Sequence, residues 1–309
     1  MSKIFITGGA GCLGSNLFEK YILEGHEICL IDNFITGKRE VVPELDNLKL
    51  IEGSVSDFDL LKSSIENFKP EYIIHSAASY KDPKNFAEDV RTNINGTINL
   101  IEICLQNNVK KIINFQTSLC YGKPKALPIP INHSIDPFTS YGISKATAEN
   151  FLFLSELPVI SLRLANICGP RLAIGPIPTF YKRLKDNQKC FCSDSVRDFL
   201  DIKDFFDLMD IVLFQDVPTG KYNISSGEGH SIMEIFKLVC EYLNIENFDV
   251  PIIPVGEDDI KEVVLDPSET EKKLGWKSKI NFNDTIKNQL IWYDNYGISE
   301  IFSHLNKPK

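Results

Sequence analysis

Three side chains in this sequence could together move a proton while a hydride departs. Tyr141 and Lys145 stand four residues apart in Tyr-Gly-Ile-Ser-Lys, which puts them on one face of a helix. A phenol titrates at about pH 10 in water. An ammonium beside it favours the phenolate, so the expectation is a Tyr141 pKa drawn down toward the working range. Such a base could take the proton from a hydroxyl as hydride leaves its carbon, most efficiently when its pKa approaches ambient pH. Lys145 can also bond a ribose. Thr117, closing the apolar run 111–116, would bond the same substrate oxygen and orient it. A Tyr-x-x-x-Lys pair alone is common on solvated helix faces, so its meaning depends on what surrounds it.

A departing hydride needs an acceptor, and the N-terminal residues provide a place for one. Gly8, Gly11 and Gly14 form G-x-x-G-x-x-G between an apolar strand and an amphipathic helix. Gly8 permits the tight turn. Gly11 lets a pyrophosphate approach the backbone, where the Cys12 and Leu13 N–H groups open the helix, and Gly14 lets that helix pack closely on the sheet. Asp32 ends the second strand, 18 residues after Gly14. A carboxylate there accepts from ribose hydroxyls and repels a 2′-phosphate, which favours NAD over NADP, although Lys38 and Arg39 follow.

The elements that must position these groups alternate. Residues 3–7, 27–31, 48–52, 72–75, 111–116 and 159–164 read as strands, and 13–23, 57–68, 89–107 and 141–155 as helices. Short unbroken apolar runs separated by helices mean βαβ units around a parallel sheet buried on both faces. After Ala165 the pattern turns irregular at Pro170, Gly175, Pro176 and Pro178, with helices at 179–187, 202–214, 232–243 and 283–296. The expected fold is α/β: a Rossmann-type doubly wound parallel sheet with a smaller mixed α/β C-terminal substrate lobe. Residues 1–165 would form the NAD-binding domain, with a returning segment at about 199–221, and residues 166–309 the discontinuous lobe.

Composition agrees. The 309 residues carry a formal net charge of −9, the opposite of a phosphodiester-binding surface, so a nucleic-acid partner is not expected. No run approaches the roughly 18 apolar residues of a membrane span, and no signal-peptide h-region follows Met1. The eight cysteines are scattered through apolar segments, as reduced thiols are, and no metal-ligand spacing stands out. The expected compartment is the cytoplasm.

Together these residues resemble the extended short-chain dehydrogenase/reductases, specifically the NAD-dependent nucleotide-sugar epimerase/dehydratase group. The likeness extends to His75-Ser76-Ala77-Ala78, Asn93-Ile94-Asn95-Gly96-Thr97 and the segment Gln116-Thr117-Ser118-Leu119-Cys120-Tyr121-Gly122. It continues through Arg163-Leu164-Ala165-Asn166-Ile167-Cys168-Gly169-Pro170, Val196-Arg197-Asp198-Phe199 and Leu274-Gly275-Trp276. The resemblance implies that Asn33, Phe34, Thr36 and Gly37 join Asp32 around the adenosine. Ala77, Ala78 and Ser79 would line the cofactor. Asn93 would belong to the same site by bonding an active-site backbone group, and Leu164 and Ala165 would flank the nicotinamide. Asn166 and Arg197 would hold a substrate diphosphate, for which an arginine fork is suited; an ion pair of Arg197 with Asp198 or Asp201 is the alternative. Residues 175–179 would cover the nucleotide with N–H groups near Pro178 and Thr179, and Lys81 and Ser118 would face the sugar.

Three departures narrow the chemistry. Gly53-Ser54-Val55 stands where the group usually carries an aspartate that holds adenine, leaving Ser54 and the Val55 N–H; Asp57 is expected to cap the next helix. Ser118-Leu119 replaces the Asp-Glu pair of the 4,6-dehydratases, which disfavours that elimination. Ala78-Ser79-Tyr80-Lys81-Asp82-Pro83 differs from the best-known galactose epimerases and is closer to bacterial surface-polysaccharide enzymes, so Tyr80 and Lys81 would face an unusual sugar. The implied activity is NAD-dependent oxidation at C4 of a nucleotide-diphosphate sugar, as a 4-epimerase or a 4-dehydrogenase. The alternatives are a reductase, decarboxylase or dehydratase on the same scaffold, or a non-catalytic NAD-sensing protein. Helices 89–107 and 141–155, with Phe86, Val90 and Phe151, would pair with a second copy as a homodimer or within a higher oligomer.

Overall fold

The computed structural model describes residues 1–80, 82, 84–246, 250–256 and 259–298, and the chain divides into two compact units. The first comprises Met1–Gly122, Ser134–Arg163 and Met209–Tyr222. Its strands are β1 (Lys3–Thr7), β2 (Glu27–Asp32), β3 (Leu48–Glu52), β4 (Tyr72–His75), β5 (Lys111–Thr117) and β6 (Val159–Leu164). With an edge strand at Gly220–Ile224 they form one sheet in the order Gly220–Ile224, β6, β5, β4, β1, β2, β3. The pairs β3–β2, β2–β1, β1–β4 and β4–β5 are parallel. Ile4, Phe5, Ile6, Ile28, Leu30, Ile73, Ile74, Ile112 and Ile113 are buried whichever face they point to, which explains runs without polar alternation. Strand order reverses between β1 and β4, and such a reversal opens a crevice at the carboxyl ends of the strands.

The helices of this unit are α1 (Cys12–Leu23), α2 (Phe58–Phe68), α3 (Phe86–Asp89), α4 (Gly96–Cys104) and α5 (Ser140–Leu154). Leu61, Ile65, Leu100, Ile103 and Leu152 pack with Phe5, Ile31, Ile73, Ile112 and Val159 in one core. Each such buried side chain contributes roughly 1.5–3 kcal/mol. Asp57 caps α2 as expected, its Oδ1 accepting from Leu60 N at 3.1 Å. The single helix expected over 89–107 is instead α3, a π-helical turn at Val90–Asn95 and α4. The Thr97 hydroxyl donates to the Asn93 carbonyl at 2.7 Å within this break. A Cβ on Gly96 would lie 2.4 Å from Val55 Cγ2, so only glycine lets the turn seat there. The edge strand Gly220–Ile224 has too few apolar residues to announce itself by periodicity.

The second unit comprises Lys123–His133, Leu164–Leu208 and Asn223–Lys309. Phe199–Asp201 pairs in parallel with Asn166–Cys168, and Val196–Arg197 lies between His230–Ser231 and Glu262–Val263. The Lys123–His133 segment is fastened by Ile129, whose N–H donates to Val264 O at 2.7 Å and whose carbonyl accepts from Asp266 N at 2.9 Å. Phe180, Phe236, Val239, Ile286, Leu290 and Tyr293 form the core of this unit. Ser231 and Glu234 make a reciprocal capping box at Ile232–Tyr242. Trp276 is buried, its Nε1 donating to Asp204 O at 3.0 Å, which gives Leu274-Gly275-Trp276 a structural role. No helix among the described residues is long and apolar enough to cross a membrane.

Candidate active site

The glycine turn follows β1 directly. Gly8 has φ +67°, and a Cβ on it would lie 2.7 Å from Ala77 Cα. A Cβ on Gly14 would lie 2.3 Å from the Gly8 carbonyl oxygen, which is why α1 can start so close beneath the turn. α1 begins after Gly11 with no side-chain cap and no acidic residue in its first turn. The Cys12 and Leu13 end of the helix therefore offers an anion the positive end of the backbone dipole. Asp32 is buried at the end of β2. Its Oδ2 accepts from Ala10 N at 2.9 Å and its Oδ1 from Phe34 N at 2.8 Å. One bond per oxygen leaves lone pairs for a ribose diol. Burial raises the carboxyl pKa while the two N–H groups oppose it. Gly37 packs on Asp32 and Ala10, where a Cβ would come within 2.9 Å of each. Phe34 takes φ +56°, and exposed Asn33 closes the turn by accepting from Ile35 N at 3.2 Å.

The floor beside the glycine turn is held by a buried histidine. Register pairs Thr7 with His75 across β1 and β4, and the Thr7 hydroxyl meets His75 Nδ1 at 2.8 Å. His75 Nε2 meets Thr97 Oγ1 at 3.0 Å. The Thr97 hydroxyl already donates to Asn93 O, so it accepts from His75, and the proton sits on Nε2. Burial, with Lys145 adding, lowers the His75 pKa to about 3, so the ring stays neutral. Ala77 N donates to Thr7 Oγ1 at 3.1 Å, which fixes the half-buried Ala77-Ala78 step. Asn93 clasps Ser79 from both sides: Oδ1 accepts from Ser79 N at 2.8 Å and Nδ2 donates to Ser79 O at 3.0 Å. Its remaining amide hydrogen goes to Ser144 Oγ at 2.9 Å. Asn93 thus joins the segment after β4 to α5.

The segments that carry Thr117, Tyr141 and Lys145 are tied together at the end of β5. Thr139 caps α5, accepting from Gly142 N at 3.1 Å, and a Cβ on Gly142 would lie 3.0 Å from Leu119 O. Glycine there lets the start of α5 close on the short turn Ser118–Tyr121 after Thr117. Gln116 ties strand to helix: its Nε2 donates to Lys145 O and its Oε1 accepts from Thr117 N, both at 2.8 Å. The Thr117 oxygen accepts from Leu119 N at 3.2 Å, which leaves its hydrogen to donate. Lys145 is 2 % exposed, and its amine makes no hydrogen bond or ion pair with a described residue. Burial lowers its pKa to about 8 against the pull of Glu149.

One expectation fails. The Tyr141 phenol is not drawn down: burial pushes it above the usual phenol range, and Tyr80, Asp89 and Cys120 push the same way. Desolvation outweighs the ammonium four residues away. Tyr80 is also differently directed. Its ring packs edge-on against Tyr141, centroids 6.2 Å apart, while its phenol hydrogen-bonds Thr36 and lies within electrostatic reach of Cys12 and Asp32. Thr36, Cys12 and Asp32 are residues that the sequence assigns to the cofactor. Lys81 lies outside the described residues.

Behind Lys145 the sequence hid a buried network. Arg163 NH2 pairs with Glu149 Oε2 at 2.6 Å, the two side chains 2 % and 1 % exposed. Ser161 donates to Glu149 Oε1 at 2.7 Å, and Arg163 NH1 to the Tyr121 hydroxyl at 3.0 Å. Glu149 is one helical turn beyond Lys145, so α5 carries an ion pair that anchors it to β6.

Ser54 differs from a free adenine-binding hydroxyl: its oxygen accepts from Ser56 N at 3.2 Å and lies 2.8 Å from Ser56 Oγ. Val55 is buried, its carbonyl accepting from Asn99 Nδ2 at 3.1 Å. Ser118 is half-buried in its turn. The glycine cradle, the two-oxygen acceptor at Asp32 and the Lys145 amine, unpartnered among the described residues, all fit a dinucleotide bearing two riboses and a pyrophosphate.

In the second unit, Asn166 is exposed and its Nδ2 donates to Asp198 O at 2.9 Å; Leu164 and Ala165 are half-buried. The helix expected from 179 begins at Pro176, because proline suits a first turn. Pro176 and Pro178 have no N–H, so in this first turn the backbone N–H groups near Pro178 are those of Ile177 and Thr179. The Thr179 hydroxyl donates to Gly175 O at 2.8 Å. Arg197 NH2 pairs with Asp259 Oδ1 at 2.7 Å, not with Asp198 or Asp201. Asp198 accepts instead from Ser226 N and Oγ at 3.0 and 2.7 Å.

The profile of the NAD dependent epimerase/dehydratase family matches residues 4–225. The Bordetella bronchiseptica enzyme WbmG, crystallised with NAD and UDP, is 57 % identical, with a TM-score of 0.95 over 99 % of each chain. WbmH from the same organism, crystallised with NAD+, is 36 % identical, with a TM-score of 0.91 over 96 % of this chain and 100 % of that one. The UDP-glucose 4-epimerase of Lactobacillus helveticus is 25 % identical over 327 residues, 95 % of this chain and 98 % of its own.

Proposed function

Because this chain belongs to the NAD dependent epimerase/dehydratase family, we propose that it inverts C4 of a nucleotide-diphosphate sugar by oxidising it and reducing it again. The observation that carries this reading is the tie that Gln116 makes between the end of β5, which bears Thr117, and α5, which bears Tyr141 and Lys145: it bonds both Thr117 N and Lys145 O. NAD, held by the glycine turn and Asp32, supplies the hydride acceptor when bound. The Thr117 hydroxyl donates to the 4-oxygen and fixes its direction. Tyr141 takes the 4-hydroxyl proton and gives it back to the 4-oxygen when hydride returns to C4 on whichever face of the 4-keto sugar is reduced. A phenol held neutral by burial suits the return step. For the forward step a positive charge must offset the phenolate, and Lys145, a cation over most of the range below about pH 8, stands one turn along the same face. Ser118-Leu119 offers no second acid and base, which argues against water elimination.

The UDP bound to WbmG and the activity named for the Lactobacillus relative support a uridine diphosphate sugar. Arg197 would hold its diphosphate after giving up Asp259. A place in surface-polysaccharide sugar supply follows from the sequence resemblance, and α3, α5 and the turn between α3 and α4 would pair with a second copy. The test supplies UDP-, GDP-, dTDP- and CDP-sugars and reads C4 configuration by NMR together with nicotinamide absorbance. Inversion without accumulating absorbance supports an epimerase, and accumulation with a released keto sugar supports a 4-dehydrogenase. Tyr141→Phe should keep NAD and lose most turnover; silence with every sugar overturns the catalytic reading.

A further inference from the structure

Two adjacent residues at the site are held by one carboxylate that the proposed chemistry does not use. Asp89 ends α3, just before the π-helical turn, and is 2 % exposed. Its Oδ1 accepts from Ser79 Oγ at 2.8 Å and its Oδ2 from Ser140 Oγ at 2.5 Å. Ser79 immediately precedes Tyr80, and Ser140 immediately precedes Tyr141. The rings of Tyr80 and Tyr141 meet edge to face, 6.2 Å between centroids. The same loop is gripped by Asn93, which also bonds Ser144 on α5.

We propose that Asp89 is a positioning residue for Tyr141: through two serine hydroxyls it fixes the residues that carry both tyrosines, and so sets where the Tyr141 phenol points. This rests on the C4 oxidation–reduction reading above. Hydroxyl-to-carboxylate bonds are short and strong, and a buried carboxylate holding two of them has no rotamer freedom left to give. Misplacing a catalytic group by an ångström is enough to cost orders of magnitude in rate. The groups that face the phenol are Tyr80 from the segment after β4, Asp89 from α3 and Cys120 from the turn Ser118–Tyr121, with Lys145 one turn along α5. Of these, Asp89 is the carboxylate, and its charge works against phenolate formation. Removing it therefore moves a readout that a purely structural pin would leave in place.

The experiment compares NAD-loaded wild type with Asp89→Asn, Asp89→Ala and Ser140→Ala. It measures kcat, KM, retained NAD and the near-ultraviolet phenolate band that Tyr141→Phe lacks. In Asp89→Ala, kcat falls by about ten-fold or more while KM and retained NAD change by less than about three-fold. Asp89→Asn, whose amide oxygen still accepts one hydroxyl, keeps more activity than Asp89→Ala. In both, the Tyr141 band rises at lower pH than in wild type. Ser140→Ala keeps the carboxylate and the Ser79 bond and loses about three-fold in kcat. Wild-type kcat and an unmoved titration overturn the proposal. So does a rate loss matched by equal loss of NAD and of the melting transition. If Asp89→Ala does not fold, Ser140→Ala decides alone: wild-type kcat overturns the assignment, and the expected partial loss with KM and retained NAD unchanged supports it. If no sugar is turned over, the functional reading has failed separately, and the phenolate titration, which needs no substrate, still decides the role of Asp89.

Discussion

Replacing Lys145 by methionine should stabilise the cofactor-free protein while abolishing turnover. Lys145 as a residue is 2 % exposed, and its amine makes no hydrogen bond or ion pair with any described residue. Burial draws its pKa from 10.5 to about 8. A displacement of that size corresponds to about 3 kcal/mol of stability forgone at neutral pH. Methionine keeps the length and removes the charge. The sign follows from proton counts. Below about pH 8 the amine is charged in both the folded and unfolded chain, so the whole cost is present. Between about pH 8 and 10.5 the folded protein has shed the proton and the unfolded chain has not, so wild type gains on the variant as pH rises. Above 10.5 both states are neutral and the electrostatic gap closes. Urea unfolding of NAD-stripped protein at pH 7 should show Lys145→Met ahead by about 3 kcal/mol, or roughly 5 °C in a melt. The lead should shrink through pH 8 to 10. A methionine variant no more stable at pH 7, or a gap indifferent to pH, would refute the claim that this ammonium is held at a cost.

Gly14→Ala should lose bound NAD and about 1–3 kcal/mol of stability, because its Cβ would sit 2.3 Å from the Gly8 carbonyl and 2.9 Å from Gly9 Cα, both backbone; nucleotide content after purification and a urea midpoint check this. Asp32→Ala leaves the Ala10 and Phe34 N–H groups without their acceptor and should weaken NAD at least about ten-fold by calorimetry, so undiminished affinity would remove Asp32 from the site. Phe86, Val90, Ile143, Phe151 and Leu154 are exposed apolar residues on the α3–α5 segments. Wild type should sediment as a dimer and Phe151→Glu as a monomer, and a monomeric wild type would contradict the pairing.

What was legible in the sequence was local. Gly8, Gly11 and Gly14 announce a turn because they are three residues apart, and Tyr141 and Lys145 share a face because they are four apart. Asp57 was legible as a cap for the same reason. What stayed hidden depends on partners far along the chain. Asp89 reads as one more acid on a helix until the fold brings Ser79 and Ser140 to it. Arg197 has two acids close in sequence, and its partner is Asp259, 62 residues on. Nothing in the spacing of Glu149 and Arg163 announces that they are buried together. Spacing suggested that Lys145 would tune Tyr141. It could not show how deeply both are enclosed, and enclosure reversed the sign.

The extra-wide turn at Val90–Asn95 sets the phase of everything that follows it. An α-helix advances about 100° per residue, so a one-residue deletion in that turn would swing one side of the break against the other by that amount. Asn93 would then lose its grip on Ser79, or Phe86 and Val90 would turn inward. Natural variation in this stretch should therefore tolerate substitutions far better than changes in length.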